Sequence, residues 1–394
     1  MSIISTRDAV IVEAVRTPLG RGKATGALHD VHPVDLFADS LREVVDRSGI
    51  DATLIDDVIG GVVSAVGEQG SNMTRRATLA AGYPESVPAT TVDRQCGSSQ
   101  QAVHFAAQGL VSGAYDIVVA GGVESMSRVP MGSSMLGTTD PSGIAFAERY
   151  PDGLVPQGIS AELIAARWGI TRTQMDEFAL ASHAKAADAT KNGLFDAELR
   201  TVGELRTDEG IRVGSTLATM GGLRSAYYSE AMAQRFPQIG WNVTAGNASQ
   251  VTDGSSALLM TTSERAEQLG LRPLARIHSV AVAGDDPLYM LTAVIPATRK
   301  VLERAGLTLD DIDLFEVNEA FASVVLAWAK ETGADLDKVN VHGGAIALGH
   351  PLGASGARLM TTLTHALHQR GGRFGLQTMC EAGGLANATI IERL

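Results

Sequence analysis

The chain is poor in cysteine, in aromatic residues and in long apolar runs. Two of its 394 residues are cysteine, and 5% are aromatic. Two cysteines exclude a disulfide scaffold and favour a reducing compartment, so we expect a cytoplasmic location. The apolar runs fall far short of the roughly 20 residues that a membrane-spanning helix needs. Neither end of the sequence reads as a targeting or lipidation signal, so no membrane association is expected.

Positive charge is also scarce. The chain has 32 lysines and arginines against 44 aspartates and glutamates, which gives a net charge of −12. An acidic surface repels polyanions, and this argues against nucleic acid as a partner. Any anionic ligand must therefore be held by a local group of basic side chains.

What the chain does have is enough apolar material for more than one core. Its hydrophobic fraction is 45% and its charged fraction 19%, values typical of a well-packed protein. A length of 394 residues exceeds that of a usual single core. We expect two or three domains.

The order of elements repeats once along the chain. Residues 41–59 and 300–317 each read as an amphipathic helix that ends at a glycine, followed by an acidic turn and a strand. The glycines that end these helices, Gly49 and Gly306, are 257 residues apart. The same spacing pairs Cys96 with Gly353, and both of these residues lie between a strand-like and a helix-like stretch. Short apolar strands alternate with the helices, as in a mixed or parallel sheet covered by helices. The sequence therefore predicts two similar α/β halves.

A long segment interrupts the first half. It contains the irregular stretch GSSMLGTTDPSG and a helical run over residues 159–193, for which Ser160 is the expected cap. Insertions of this length are usually functional, so we interpret it as a loop domain that forms a lid or a binding wall. The expected organisation is an N-terminal half over 1–122 and 248–272, a loop domain over 123–247 and a C-terminal half over 273–394.

Cys96 is the first candidate for chemistry. It precedes a turn of small residues and a helical pattern in VDRQCGSSQQA. The free N–H groups and the dipole at a helix start favour a thiolate, which makes Cys96 a candidate nucleophile. The alternative is a small buried apolar residue, because free cysteine is among the most buried residue types.

Three further residues stand at the ends of predicted strands or in turns. His350 lies in the glycine-rich GHPLGASG, which lacks the Lys-Ser/Thr ending of a phosphate-binding loop. A histidine brought to a cysteine makes an activated nucleophile, although a structural histidine is the alternative. Cys380 precedes EAGG, where small residues let a ligand approach, or it is a buried cysteine at the end of a strand. Asn318 in VNEAFA is either functional or the N-cap of the next helix.

Taken together, the motifs resemble those of the thiolase family over essentially the whole chain. They occur in family order as VDRQCGSSQQA, GGVESMSRVP, VTAGNASQVTDG, VNEAFA, GGAIALGHPLGASGAR and CEAGGLANA. The resemblance implies duplicated α/β halves in five layers, α-β-α-β-α, with an inserted loop domain. It also implies an acyltransferase that cleaves 3-ketoacyl-CoA with CoA, as in fatty-acid β-oxidation, through an acyl-cysteine. A homodimer or homotetramer is expected, with CoA as co-substrate, no permanently bound cofactor and no metal.

The resemblance also implies roles for the four candidate residues. Cys96 matches the residue that is acylated, and His350 matches the base that removes its proton and later polarises the thioester oxygen. Cys380 matches the acid and base that exchanges a proton with the α-carbon of acetyl-CoA or with the CoA thiol. Asn318 matches the residue that positions a water molecule in the oxyanion site.

Three more residues are implied for CoA binding. Ser249 in AGNASQ matches the serine that contacts the pantetheine arm. Arg212 and Thr219, in GIRVGSTLATM, fall where family members hold the nucleotide end. An arginine at that point suits the binding of a polyphosphate by an acidic protein.

The sequence departs from the family pattern near both cysteines. Asp93 replaces a frequent asparagine, and we expect it to face the loop backbone, because a carboxylate facing the sulfur raises the thiol pKa. Ala382 replaces the first of three glycines. Its backbone N–H is retained, and its methyl group matters only if the position needs a positive φ.

The substrate class is predicted from the stretch LVPQGISAE. Family members devoted to acetoacetyl-CoA commonly have a His-Met pair where this chain has Pro156 and Gln157. A different wall beside the acyl site favours a degradative enzyme that accepts acyl groups larger than acetyl, from fatty acids or sterol side chains. The alternative is that the two residues only turn the chain before a helix.

Other functions remain open from sequence. The same residues would serve a biosynthetic acetyl-CoA acetyltransferase, since catalysis runs in both directions. A decarboxylating condensing enzyme of the same fold generally uses two histidines with one cysteine, and Asn318 and Cys380 occupy the matching motifs here. A non-catalytic acyl-CoA carrier would be expected to lack Cys96 or His350.

Overall fold

The computed structural model describes residues 6–394, so the first five residues of the predicted N-terminal half lie outside the described part. The strands are β1 (Ala9–Arg16), β2 (Gly20–Arg21), β3 (Asp57–Gly61), β4 (Ala89–Val92), β5 (Ile117–Ser125), β6 (Thr252–Thr262), β7 (Ala275–Gly284), β8 (Leu314–Val317), β9 (Phe374–Glu381) and β10 (Leu385–Arg393). The α-helices are α1 (Pro33–Ser48), α2 (Met73–Ala80), α3 (Ser98–Ser112), α4 (Ile144–Arg149), α5 (Gln157–Trp168), α6 (Arg172–Lys191), α7 (Leu217–Gly221), α8 (Glu230–Arg235), α9 (Ser263–Leu269), α10 (Val294–Ala305), α11 (Ala322–Thr332) and α12 (Ser355–Arg370).

The sheet is mixed and consists of two halves. Its order is β4-β3-β5-β6-β1-β7-β10-β9-β8, with β2 paired to β6. β3 pairs in parallel with β4 and β5, and β8 pairs in parallel with β9, whereas the other pairs are antiparallel. Within the sheet, β1 of the first half pairs with β7 of the second through Val10–Arg276 and Ile11–Ala275. The order β8-β9-β10-β7 thus repeats β3-β5-β6-β1.

Helices cover both half-sheets and fill the space between them. α3 and α12 pack against each other, α3 on the first half-sheet and α12 on strands of both. α1 packs on the outer side of the first half-sheet together with α2, and α10 packs on β7, β10 and β9. The layers are therefore α-β-α-β-α, and the predicted fold class is confirmed.

The repeat seen in the sequence is a repeat of structure. β3 and β8, α3 and α12, and β5 and β9 each begin at the spacing that separates Gly49 from Gly306. These two glycines end α1 and α10 with left-handed φ values of 70° and 66°. Asp56 accepts two backbone N–H groups at the start of β5 at 2.6 and 2.9 Å, and Asp313 does the same at the start of β9 at the same distances. The same local contacts therefore set the start of corresponding strands.

The helical run of the inserted segment differs from the prediction. It is broken into α5 and α6 at Gly169, which adopts φ 60°, and Thr171 caps α6 with a capping box. The predicted cap at Ser160 is wrong, because α5 already begins at Gln157. The Ser160 hydroxyl instead donates to the Leu288 carbonyl at 2.7 Å. The residues around Ser160 in the sequence give no indication of this acceptor, because Leu288 lies far along the chain.

A buried ion cluster attaches the inserted segment to β1. Arg16 is fully buried and contacts Glu198 at 2.5 Å and Asp208 at 2.7 Å. Its second guanidinium nitrogen also donates to Asp208, at 2.9 Å, so that contact is bidentate. Within residues 6–394, no helix is long and apolar enough to cross a bilayer.

Candidate active site

Cys96 lies in a tight turn between β4 and α3. Gln95, just before it, adopts a left-handed φ of 50°, and Gly97, just after it, is the N-cap of α3. The Asp93 carboxylate accepts the Gln95 backbone N–H at 2.7 Å, so it faces the loop backbone as predicted. The turn presents the cysteine at the helix start but leaves only 5% of it exposed.

The Cys96 thiol is held protonated in this structure. Burial and the charge on Glu381 raise its pKa to about 12, with Glu124 adding to the effect. The backbone N–H groups of Cys96 and Ala382 act in the opposite sense, but they are outweighed. The expectation that the helix start would favour the thiolate is therefore wrong for the resting site, because desolvation dominates. Such a thiol needs a base to become a nucleophile.

His350 is a buried imidazole that is neutral at ordinary pH. Burial and the charge on Arg358 lower its pKa to about 3. Its Nδ1 lies 2.6 Å from the Ser355 hydroxyl, which itself donates to the Pro351 carbonyl at 2.8 Å. That hydroxyl must accept from His350, so the network assigns the proton to Nδ1. Nε2 then carries a lone pair and is able to take a proton.

Asn318 is directed at that same nitrogen. Its Nδ2 lies 3.4 Å from His350 Nε2, and its Oδ1 is buried without a hydrogen-bond partner among residues 6–394. The N-cap alternative is wrong, because α11 begins at Ala322 with Phe321 as its N-cap. A buried acceptor without a partner calls for a water molecule or a ligand group.

Cys380 lies at the end of β9, beside Cys96. Burial and the charge on Cys96 raise its pKa well above the ordinary cysteine value. The two sites also share packing, since Met379 and Leu352 form one apolar cluster with Cys96. Ala382 does not adopt a positive φ, whereas Gly383 and Gly384 do, with 85° and 81°. The alanine in place of the family glycine is therefore compatible with the backbone.

Glu124 on β5 ties these loops together, and sequence reasoning missed it. Its buried carboxylate accepts the N–H groups of Val63 and Ser64 at 2.9 and 3.0 Å and that of Gly353 at 2.8 Å. It also accepts from the Gln69 amide at 2.7 Å. The sequence does show a single acidic residue at the end of an apolar strand. Because a buried carboxylate needs hydrogen-bond donors, this pattern could have identified Glu124.

A cavity of about 490 Å³ adjoins the His350 loop. Ser249 and Arg212 both line it, together with Arg21 and Lys23, which the sequence reasoning did not select. The Gln250 carbonyl accepts the His350 backbone N–H at 3.1 Å, so the wall of the cavity is bonded to the loop that carries His350. The signal for the extra basic residues was the run GRGK at residues 20–23 of an acidic chain.

The charges in this cavity are largely free. Within the described part of the chain Lys23 and Arg212 make no ion pair, and Arg21 lies 3.8 Å from Glu209. Thr219 is not part of the cavity wall, because it lies in α7 and its hydroxyl and N–H bond Thr216 in a capping box. Three cationic side chains therefore give this cavity a positive local charge on an otherwise acidic protein. No group of three or more metal-ligating side chains was found in residues 6–394.

Comparison with known proteins gives matches along the whole chain. The family model for the thiolase N-terminal domain matches residues 9–264, and that for the thiolase C-terminal domain matches residues 271–393. A steroid 3-ketoacyl-CoA thiolase of Mycobacterium tuberculosis is 49% identical over 98% of this chain and 94% of its own length. A 3-ketoacyl-CoA thiolase of Bacillus subtilis is 40% identical over 98% and 99%, respectively.

A solved structure resembles the whole molecule as well. The crystal structure of the Bacillus anthracis acetyl-CoA acetyltransferase superimposes with a TM-score of 0.87 at 38% sequence identity, and the match covers 100% of both chains.

Proposed function

The chain belongs to the thiolase family, and on that premise we propose that it cleaves 3-ketoacyl-CoA with CoA through an acyl group on Cys96. The products are acetyl-CoA and an acyl-CoA shortened by two carbons. The assignment is carried by the His350 imidazole, whose contact with the Ser355 hydroxyl leaves the lone pair on Nε2, together with a buried Cys96 whose pKa is raised to about 12. A thiol and a base in this state form a nucleophile only by proton transfer between them.

The first half of the reaction forms the acyl-enzyme. The Cys96 proton moves to His350 Nε2, and the sulfur attacks the 3-keto carbon, whose oxygen becomes an alkoxide. The C2–C3 bond then breaks as the carbonyl re-forms, and its electron pair leaves as the enolate of acetyl-CoA. Cys380 donates a proton to that carbon, which completes acetyl-CoA and leaves an acyl-Cys96 thioester.

The second half transfers the acyl group to CoA. Cys380, now a thiolate, takes the proton of the incoming CoA thiol, and the CoA sulfur attacks the thioester carbonyl. Cys96 leaves as a thiolate and recovers its proton from His350. During both halves the protonated Nε2 and a water molecule bound to Asn318 Oδ1 stabilise the oxygen that bears negative charge. The unpartnered Oδ1 supports this role for Asn318.

The cavity with the basic residues is proposed to hold CoA. Arg21, Lys23 and Arg212 would supply charge for the phosphates. Ser249, where the pantetheine arm would pass, precedes Gln250, whose carbonyl accepts the His350 N–H. Thr219 stays a prediction for the nucleotide end, although its hydroxyl is engaged within α7. CoA is a co-substrate in this scheme, with no permanently bound cofactor or metal required.

The acyl group is proposed to be larger than acetyl. Pro156 is the N-cap of α5 and Gln157 its first residue, so both stand at the start of that helix. Tyr227 packs on the same turn, since a Cβ on Gly158 would lie 2.3 Å from its ring. The steroid 3-ketoacyl-CoA thiolase among the relatives supports sterol side chains as one substrate class.

The test compares kcat/KM for thiolysis of acetoacetyl-CoA, a medium-chain 3-ketoacyl-CoA and a 3-ketoacyl-CoA with a sterol side chain. We expect a graded preference for the larger substrates, since each methylene contributes about 1–3 kcal/mol of discrimination. A clear preference for acetoacetyl-CoA would contradict this and indicate a biosynthetic acetyltransferase.

The nucleophile is tested separately by mass spectrometry of the enzyme trapped with substrate. We expect the acyl adduct on Cys96, and no adduct in Cys96→Ser, which should still fold and bind CoA. An adduct on another residue would overturn the assignment. A wild-type chain that binds acyl-CoA without any adduct would instead be the carrier considered above.

A cytoplasmic homodimer or homotetramer is proposed as well. β4 ends the sheet order, and an edge strand of this kind offers unpaired backbone groups to a second copy. Sedimentation velocity of the purified chain tests the assembly, and a monomer at micromolar concentration would contradict it.

A further inference from the structure

A buried arginine near the His350 loop makes no hydrogen bond with the protein. Arg358 lies on α12, three residues after Ser355, and is 1% exposed. Its Nε, Nη1 and Nη2 atoms are buried, and none has a hydrogen-bond partner among residues 6–394. A guanidinium group carries five N–H donors, and burying them unpaired costs much free energy. These donors therefore call for an occupant that can accept hydrogen bonds.

Unpaired acceptors from the second half-sheet lie beside this arginine. Glu316 Oε2, on β8, is 3.8 Å from Arg358 Nη1, which is beyond hydrogen-bond range. Gln377 on β9 is the register partner of Glu316, and its amide nitrogen donates to the Gly356 carbonyl of α12 at 2.8 Å. Glu316 Oε2 and Gln377 Oε1 are both buried without a hydrogen-bond partner in the described part of the chain.

The inserted segment supplies a third acceptor. Thr362 lies one turn after Arg358 on the same face of α12, and its hydroxyl donates to Glu198 Oε1 at 3.1 Å. Arg16 binds the same oxygen. The other oxygen, Glu198 Oε2, is buried and has no hydrogen-bond partner within residues 6–394. One polar space, which we call the Arg358 site, is thus bordered by Arg358, Glu316, Gln377 and Glu198.

The charges around the Arg358 site favour a neutral occupant. Arg16 and Arg358 are balanced by Glu198 and by Asp208, which binds Arg16 at 2.7 Å. Burial raises the pKa of Glu316 to about 8, so this carboxyl group is mostly uncharged at neutral pH. No charge is left for an anion or a cation to compensate. Water both donates and accepts, and it commonly bridges buried polar groups that are slightly too far apart to bond directly.

Two further charged groups act on Glu316 without changing this conclusion. Lys185 is basic and Glu319 is acidic, so their effects oppose each other. The Lys185 ammonium donates to the Val339 carbonyl at 3.0 Å. The Glu319 carboxyl group accepts from three donors of its own. Both groups therefore have partners outside the Arg358 site.

We propose that the Arg358 site binds a cluster of ordered water molecules, and that this cluster fixes β8 against α12 so that Asn318 keeps its place beside His350. Glu316 lies two residues before Asn318, and alternate residues of a strand point to the same face. Arg358 lies one turn after Ser355, whose hydroxyl contacts His350 Nδ1. Water bridges between these two side chains join the elements that bring Asn318 Nδ2 to 3.4 Å from His350 Nε2. The inference rests on the proposed function, because it gives Arg358 a positioning role in the same site.

A crystal structure of the chain, at a resolution that shows ordered water, tests the occupant. We expect water molecules within hydrogen-bond distance of Arg358 Nη1 and Nη2 and of Glu316 Oε2. A direct bidentate contact of Arg358 with Glu316 or Glu198, without water between them, would overturn the inference. A bound ion in the Arg358 site, or a site without any ordered water, would overturn it as well.

The positioning role is tested by kcat and KM for thiolysis and by the urea midpoint of unfolding. Arg358→Met is combined with Glu316→Leu, because replacing both buried polar partners by apolar side chains leaves neither of them unpaired. We expect the double variant to unfold near the wild-type midpoint. Its kcat should fall by roughly 10- to 100-fold with little change in KM, because Asn318 and His350 lose their alignment.

Two further variants control this result. Thr364→Val removes a buried hydroxyl that donates to the Met360 carbonyl of the same helix at 2.8 Å, and it should leave kcat unchanged. Arg358→Lys keeps the charge but loses the planar fork, so its kcat should lie between those of the wild type and the double variant. If the double variant does not fold, as judged by circular dichroism, Glu316→Leu alone removes the β8 side of the bridge and should show the same fall in kcat.

Failure of this inference is distinct from failure of the proposed function. A wild-type kcat in the folded double variant would show that the Arg358 site has no positioning role. An equal fall in kcat in Thr364→Val would also contradict that role, because the effect would then be unspecific to the site. In both cases the wild-type chain would still form the acyl adduct on Cys96, and absence of that adduct would overturn the proposed function instead.

Discussion

Burial decides the charge state of the proposed catalytic residues more strongly than local structure does. The helix start behind Cys96 favours a thiolate, but desolvation and the neighbouring carboxylates raise the thiol pKa to about 12. The same burial lowers the pKa of His350 to about 3. Cys96 and His350 are therefore both uncharged in the resting enzyme. Proton transfer between them creates two charges, and these must be stabilised by groups that act in the transition state.

The roles of the two cysteines can be separated by substitution. Cys380→Ala should still accept an acyl group on Cys96 from an acyl-CoA donor, because the nucleophile and its base are intact. It should fail to exchange the α-protons of acetyl-CoA, since the enolate loses its proton donor. Deuterium incorporation into acetyl-CoA, followed by mass spectrometry, measures this. Exchange at the wild-type rate would show that another group moves the proton.

Ser355 is expected to fix the tautomer of His350. Ser355→Ala removes the acceptor of the Nδ1 proton, so the imidazole is free to turn or to carry its proton on Nε2. The loss of one buried hydrogen bond, about 1 kcal/mol, predicts acylation slower by roughly fivefold with CoA binding unchanged. Single-turnover acylation measures the rate. Ser355→Thr retains the hydroxyl and should recover most of it, and an equal defect in both variants would argue against the tautomer role.

At the scale of elements, the repeat places the catalytic loops opposite each other. α3 and α12 begin at corresponding positions of the two halves and pack together between the half-sheets. Cys96 precedes α3, and His350 precedes α12. Because the two helices are neighbours, the loops before them meet at one end of the central layer. The distance of more than 250 residues along the chain is irrelevant to this contact.

The inserted segment should depend on the buried Arg16 cluster. Arg16→Met leaves Glu198 and Asp208 buried without a cation, which costs about 3–5 kcal/mol in comparable buried pairs. We expect the free energy of unfolding, measured in urea, to fall by about that amount. Adding Glu198→Gln and Asp208→Asn should recover much of the loss, because the uncompensated charges disappear. A loss below about 1 kcal/mol in the single variant would contradict the prediction.

At the scale of the molecule, buried titratable groups set how stability depends on pH. Burial lowers the pKa of His104 and His350 to about 3. Below pH 6.5 these two histidines therefore bind protons in the unfolded chain but stay neutral in the folded chain. Burial raises the pKa of Glu316 and Glu381 to about 8, so the folded chain keeps protons that the unfolded chain releases above pH 4.5. The first effect lowers stability as the pH falls, and the second lowers it as the pH rises.

These two effects predict a stability maximum on the acid side of neutrality. Between pH 6.5 and about 8 the histidines no longer contribute and the glutamates still do, so the melting temperature should decline. Below pH 4.5 the histidines dominate and the melting temperature should also decline. Calorimetry from pH 4 to 9 tests this, with Glu316→Gln expected to flatten the alkaline side. A melting temperature that rises steadily from pH 6.5 to 8 would refute it.

Much of the fold was predictable because its signals are local. The glycines that end α1 and α10, the acidic turns after them and the apolar strands all lie within a few residues of the structure they determine. The fold class, the family and the thiolase reaction predicted from the motifs are confirmed. The boundaries of the inserted domain and the individual catalytic roles stay predictions. The cap at Ser160 failed because its partner, Leu288, lies 128 residues away.

The sequence by itself determined which residues are present for chemistry and that two equivalent halves carry them. These features can be recognised in the sequence because motifs and element boundaries depend on residues that are neighbours along the chain. Only the tertiary structure decided the protonation of these residues, the tautomer of His350 and the position of Glu381 against Gly97 in the turn that carries Cys96. It also brought Arg21 to the cavity lined by Arg212. These properties depend on burial and on charges from distant parts of the chain, and they exist only once the half-sheets have packed around α3 and α12.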